Sequence, residues 1–137
     1  MGNDECVFCN VTKKNKNRIL YEDEQIVIFK DINPVAKVHL QCIPKKHINN
    51  INELTKDDLQ LLNHMYETSR DYLIQNYKEL LIENQPIFGF HKPPFYTIKH
   101  LHMHCIIPPY TNPLMKVFNC CFMKSFNKLV QELEELE

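Results

Sequence analysis

The spacing of apolar residues changes character along the chain. Short apolar runs fill the first fifty positions: Ile19-Leu20-Tyr21, Ile26-Val27-Ile28-Phe29 and Val38-His39-Leu40-Gln41-Cys42-Ile43. Their length and β-branched content predict strands, the third alternating and stopping at Pro44. The first two flank Glu22-Asp23-Glu24-Gln25, which predicts a hairpin, and Asp31-Ile32-Asn33-Pro34 reads as a turn. From Thr55 the period lengthens. Thr55-x-x-Asp58 resembles a capping box with Asp in place of Glu, and Leu59, Leu62, Tyr66, Leu73, Tyr77 and Leu80 follow at helical spacing. One long amphipathic helix is expected there. Ile87-Phe88-Gly89-Phe90 predicts a strand and Lys92-Pro93-Pro94-Phe95 a loop. A strand through residues 100–107 comes next, and a helix over Phe126–Leu136 carries Leu129, Leu133 and Leu136. Strands in antiparallel hairpins around a long helix predict an α+β fold, with about five strands and one domain over residues 1–137.

One strand candidate carries chemistry. In His100-Leu101-His102-Met103-His104-Cys105 three imidazoles alternate with apolar residues. Regular strand geometry would put all three on one face, about 6.6–7 Å apart. Imidazole changes charge near neutral pH, so such a row suits nucleophilic, acid–base or metal chemistry, and core packing gives no reason for it. His39 and His64, on a strand and the long helix, read as structural or solvated residues.

Composition narrows the partners. The 137 residues carry a formal net charge of −1, so no basic excess exists to grip a nucleic-acid backbone. No apolar run has the length of a membrane span, and the polar, acidic start Met1–Cys6 does not resemble a signal peptide. Neither nucleic acid nor a membrane is an expected partner, and the expected location is intracellular, cytoplasmic or nuclear. In that setting the six cysteines read as reduced thiols or metal ligands rather than disulfides. Cys42 and Cys105 fall in apolar runs, Cys120 and Cys121 are adjacent, and Cys6-Val7-Phe8-Cys9 has ligand spacing. By itself that pair supplies only half of a tetrahedral site.

The pattern His-φ-His-φ-His-φ-φ over residues 100–106, φ being apolar, resembles the signature of the histidine triad superfamily. Cys6–Cys9, Tyr21–Glu24, Phe29–Pro34 and Ile43-Pro44-Lys45-Lys46-His47 follow the same family's order and spacing. The resemblance spans a core of about residues 6–110, with 111–137 as a C-terminal extension. Gly89-Phe90-His91-Lys92-Pro93-Pro94-Phe95 is similar to the type-3 branch of the histidine triad nucleotide-binding (Hint) proteins; other Hint proteins are glycine-rich there.

This resemblance implies hydrolysis at the α-phosphorus of a purine nucleoside 5′-monophosphate group, including phosphoramidate P–N bonds. It implies His102 as nucleophile forming a nucleotidyl-histidine, His104 as phosphate contact, and Thr97 as leaving-group contact. Phe8, Val11 and Phe29 would wall the base and Asp31 would bind the ribose. Asn33 and His91 would reach the phosphate, His91 standing where other Hint proteins have Asn. Bacterial-type relatives imply a structural zinc on Cys6, Cys9, His47 and His100, and the family implies a homodimer through the long helix and an adjoining strand. Ligands would be AMP, with GMP as a further candidate, and their phosphoramidates. Other readings of the same residues are a nucleotide-binding scaffold with weak hydrolysis, a dinucleoside polyphosphate or adenylylated-substrate hydrolase, and a metal-binding module.

Overall fold

The computed structural model describes residues 6–11, 18–93, 98–111 and 122–136. Its framework is a sheet of β1 (Ile19–Glu22), β2 (Ile26–Lys30), β3 (Ala36–Pro44), β4 (Ile87–His91), β5 (Met103–Tyr110) and β6 (Met123–Ser125). The spatial order is β1-β2-β3-β5-β4-β6, every neighbouring pair antiparallel. Two helices complete the α+β fold, α1 (Leu59–Asn76) and α2 (Phe126–Glu134).

Strand alternation divides the sheet into an apolar side and a reactive side. Ile26 and Ile28 of β2, Val38, Leu40 and Cys42 of β3, Phe88 and Phe90 of β4, and Met103, Cys105 and Ile107 of β5 join one buried cluster. Helix α1 enters it with Leu62, Met65 and Leu73, and α2 with Phe126, Leu129 and Leu133, all at helical spacing. Tyr66 stacks on Phe126 with centroids 4.5 Å apart, joining the two helices. The opposite side receives the intervening residues. Phe29, Gln41, His104, Gly89 and Ser125 form one cross-strand row in register through β2, β3, β5, β4 and β6.

The capping box forms: Asp57 N–H donates to Thr55 Oγ1 and Thr55 N–H to Asp58 Oδ2. It opens a 3-10 turn over Lys56–Asp58 that leads into α1, and a second turn over Leu80–Ile82 follows α1. The long helix is therefore shorter than its apolar repeat. Tyr77 leaves helical geometry at φ −134° while its N–H still caps Leu73 O.

Two expectations change. The sheet has six strands rather than about five, because Met123–Ser125 pairs with β4. Three residues of mixed polarity leave no periodic signal. With β6 in place, β4 lies inside the sheet and β1 and β6 form its edges. The second change concerns the histidines: β5 begins only at Met103. β3 ends at Pro44, and the last β3–β5 pair is Cys42 with Met103. Leu101 N–H instead donates to Ile48 O and the His100 ring to Pro44 O. Of the three imidazoles only His104 stands on the pleat.

Gly89 sits where β6 closes in. A Cβ there would meet Met123 Cε at 2.7 Å and Lys124 O at 3.0 Å. The methyl can move aside, but the carbonyl belongs to β6 itself. Gly89→Ala is expected to cost ~1 kcal/mol by overpacking, read as a lower urea midpoint with an unchanged slope.

Candidate active site and an adjoining thiol–imidazole cluster

On the reactive side a cavity of about 380 Å³ is lined by Phe8, Arg18, Phe29, Asp31, Asn33, His39, Gln41, His91, His102 and His104, among others. That volume suits a nucleotide-sized ligand. Phe8 and Phe29 meet edge to face at 5.3 Å and form its apolar end. The Arg18 guanidinium lies 5.5 Å from the Phe29 ring and donates to Lys30 O. Val11 is buried with these aromatics but lines a separate depression with Cys9 and Lys45. It backs the apolar end rather than walling the main cavity.

Asp31 is fixed by its neighbours. Its N–H donates to His39 O, its Oδ1 accepts from Asn33 N–H at 2.8 Å, and its Oδ2 accepts from Gln41 Nε2. The first carboxylate bond is an Asx turn, the expected local use of Asp before Asn-Pro. Asn33 is exposed at the cavity wall.

Hydrogen bonds determine the imidazole tautomers. His102 Nδ1 lies 2.6 Å from His100 O, which can only accept, so Nδ1 carries the hydrogen and Nε2 keeps its lone pair. Val35 N–H donates to His39 Nδ1. A neutral His39 therefore has its hydrogen on Nε2, which donates to His104 Nδ1 at 2.8 Å. His104 in turn carries its hydrogen on Nε2. The two reactive rings thus present opposite chemistry, an acceptor nitrogen on His102 and a donor on His104.

Burial keeps these rings neutral. His104 is pushed well below the ordinary imidazole range, first by desolvation and then by His102, His39 and His91. Desolvation also lowers His102, against the opposing effects of the His100 carbonyl and Asp31. For His39 it outweighs the pull of Asp31. His91 ends β4 with its ring 4.5 Å from His104 and 5.9 Å from His102, and burial lowers it to about 4. Thr97 lies outside the described residues.

The structure brings in two residues that sequence reasoning missed as site members. His39 orients His104, and Gln41 holds Asp31. The signal was present: both are polar positions, two residues apart, in an otherwise apolar strand. His64 instead bonds Asp23 at 2.6 Å and ties α1 to the β1–β2 turn. Lys45 and Lys46 make surface pairs with Glu22 and Asp58.

Beside the cavity, the ligating atoms of Cys6, Cys9, His47 and His100 all lie within 4.8 Å of one another. His100 Nδ1 is 3.4 Å from both Cys6 Sγ and Cys9 Sγ, and His47 Nδ1 is 3.1 Å from Cys9 Sγ. Each Nε2–H donates outward, His100 to Pro44 O and His47 to Asn49 Oδ1, so both Nδ1 lone pairs face the thiols. This outer-oxygen arrangement is what orients metal-binding imidazoles. A tetrahedral zinc would set S and N about 3.5 Å apart, close to the observed separations. The four residues fit such an ion.

The family model described as scavenger mRNA decapping enzyme C-term binding matches residues 5–118. A structure described as a HIT family hydrolase from Clostridium thermocellum superposes with a TM-score of 0.65 at 30% identity, covering 82% of this chain and 97% of that one. The chain belongs to the histidine triad family. Among the relatives of this histidine triad protein is the bifunctional adenosine 5′-phosphosulfate phosphorylase/adenylylsulfatase HINT4 of Arabidopsis thaliana. It is 36% identical over 79% of this chain and 73% of its own length. The adenosine 5′-monophosphoramidase HINT3 of Danio rerio is 42% identical over 75% of this chain and 64% of its own length. No helix among the described residues is long and apolar enough to cross a membrane.

The lowered His91 gives a pH signature. Unfolding releases an imidazole of ordinary pKa near 6.5 from a site where it is about 4. The unfolded chain therefore binds the extra proton, and stability falls as pH drops from about 6.5 towards 4. His91→Asn is expected to make that part of the stability–pH curve shallower, the other lowered imidazoles keeping the rest of the slope. Denaturant midpoints measured between pH 7 and 4 check this.

Proposed function

We propose that this histidine triad protein is a purine nucleoside phosphoramidase that cleaves adenosine 5′-monophosphoramidate-type P–N bonds through a nucleotidyl-histidine. The observation that carries the reading is His102, neutral at the cavity wall, with Nδ1–H committed to His100 O and Nε2 left as the available lone pair. The activities named for the HINT3 and HINT4 relatives support it.

In this reading the base lies at the Phe8–Phe29 end, Asp31 accepts from the ribose hydroxyls, and the phosphate meets His104 and His91. His102 Nε2 attacks phosphorus, the P–Nε2 bond forms and the P–N bond breaks. The departing nitrogen takes a proton from water and leaves as an amine. His102 then carries positive charge, stabilised by its Nδ1–H bond to His100 O. His104 Nε2–H donates to a phosphate oxygen, oriented by His39 before the reaction begins. Water next attacks phosphorus, breaks the P–Nε2 bond and returns the proton, restoring neutral His102. Thr97 keeps its assignment as leaving-group contact, and GMP-type substrates belong to the same class.

One structural zinc on Cys6, Cys9, His47 and His100 is part of the proposal; when bound it supplies a closed Cys2His2 shell and takes no part in the chemistry. Copies of the chain are proposed to pair through the α1 face, where Ile74 is exposed.

His102→Ala is expected to lose hydrolysis of an adenosine phosphoramidate by at least about a thousandfold while still binding AMP in calorimetry. Equal turnover by the variant would remove His102 as nucleophile. Purified protein is expected to contain about one zinc per chain by elemental analysis, and Cys6→Ala to lose it together with thermal stability. A metal-replete preparation without zinc would refute that assignment.

A further inference from the structure

We propose that Gln41 is a positioning residue that holds the Asp31 carboxylate toward the cavity and keeps it away from His39. The inference rests on the assignment of Asp31 to the sugar hydroxyls. Two donors compete for one oxygen. Gln41 Nε2 donates to Asp31 Oδ2 at 2.5 Å, while His39 Nε2 stands 3.3 Å from the same oxygen and 2.8 Å from His104 Nδ1. His39 has one hydrogen on that nitrogen, so it can make a full bond to only one of the two acceptors. The amide satisfies Oδ2 and leaves the His39 hydrogen to His104.

The placement argues for this use of the side chain. Gln41 is 8% exposed and stands in the row between Phe29 and His104, where an apolar residue would pack. Its Oε1 is buried with no hydrogen-bond partner among the described residues. Turning the amide over would point that carbonyl at the carboxylate, so the observed orientation is the one electrostatics permits. A buried amide that satisfies only its N–H side costs stability. The residue is thus a costly choice for a buried position on the cavity side and a good one for gripping a carboxylate.

Without the amide, the nearest donor to Oδ2 is His39. The charged and titratable groups facing that ring are Asp31 from the β2–β3 turn, His104 on β5, His102 just before it, and His91 at the end of β4. Only Asp31 favours the protonated ring. Closing the Asp31–His39 distance would raise the His39 pKa, draw its Nε2–H from His104 and turn the carboxylate from the sugar.

The test replaces Gln41 with Met, which keeps length and removes both polar atoms, and with Asn, which is too short to reach Oδ2. Melting temperature, the NMR titration of His39 in ligand-free protein, AMP affinity, and kcat and KM for an adenosine phosphoramidate are measured. The expected result for Gln41→Met is an unchanged or higher melting temperature, a His39 titration moved upward, and AMP affinity weakened about tenfold. KM rises with it, and the acid limb of kcat moves to higher pH. Gln41→Asn is expected to give the same upward His39 titration. An unmoved His39 titration in the folded variants overturns the proposal, as does a fall in activity that only follows a fall in melting temperature. If the unsubstituted protein neither binds AMP nor hydrolyses the substrate, the functional reading fails instead, and the ligand-free titration still decides the role of Gln41.

Discussion

The site depends on the 2.6 Å hydrogen bond between His102 Nδ1 and the His100 carbonyl. It selects the reactive nitrogen of His102, and it exists because the chain is not yet a strand at that point. On a regular pleat, residues two apart share a face, but a ring cannot fold back onto the carbonyl two residues before it without a bend. Here residues 98–100 form a bend and β5 starts at Met103. The same bend swings the His100 ring away from the cavity to Cys6 and Cys9. One residue therefore faces two ways. Its side chain ties the segment to the thiol cluster and its backbone orients the His102 ring, so the order of the first governs the precision of the second.

Electrostatics then restricts the charge the cavity can hold. His102 and His104 are 5.1 Å apart between centroids, and His39 and His104 are 5.0 Å apart. Two positive rings at that distance repel by about 3 kcal/mol at an effective dielectric of about 20, before desolvation is counted. That is more than two pKa units, enough to forbid neighbouring protonation near neutral pH. Burial leaves His102 unprotonated, and burial with this crowding added leaves His104 a neutral donor. An anionic phosphate bound as proposed would oppose this repulsion by favouring positive charge on the rings.

Much of this was legible in the sequence because it is periodic or local. Short apolar runs marked β1 and β2, alternation marked β3, the Thr55–Asp58 box marked the approach to α1, and Asp31 before Asn-Pro marked the turn that carries the carboxylate. The Cys6, Cys9, His47 and His100 grouping followed from family resemblance, and the fold does bring those atoms together. Other features were illegible for equally physical reasons. The His100–His102 segment alternates like a strand, yet ladder pairing with β3 ends at Cys42 and Met103, and Leu101 N–H turns to Ile48 O instead. β6 is set by tertiary pairing with β4 rather than by its own three residues. His39 read as a structural or solvated residue; it is buried at the cavity, and sequence does not distinguish a packed ring from one that orients another.

The two imidazole clusters invite the same chemistry and their hydrogen bonds separate them. His91, His102 and His104, and likewise Asp31, His39 and His104, bring ligating atoms within 4.8 Å, as the thiol cluster does. Distance alone would assign a metal to all three. A metal needs the lone pair of each nitrogen it meets. At His47 and His100 the outer nitrogens donate to oxygens, so both inner lone pairs face Cys6 and Cys9. At His39 the fixed donor is Val35 N–H, which forces the hydrogen onto Nε2 and, through it, the His104 hydrogen onto the other side of that ring. A metal between His39 and His104 would have to displace a hydrogen that a backbone amide holds in place. One at His104 Nε2 would need that ring to change tautomer and lose the His39 bond. Donors in the protein frame thus leave two imidazole lone pairs facing the thiols in one cluster and put the His39 and His104 hydrogens on Nε2 in the other.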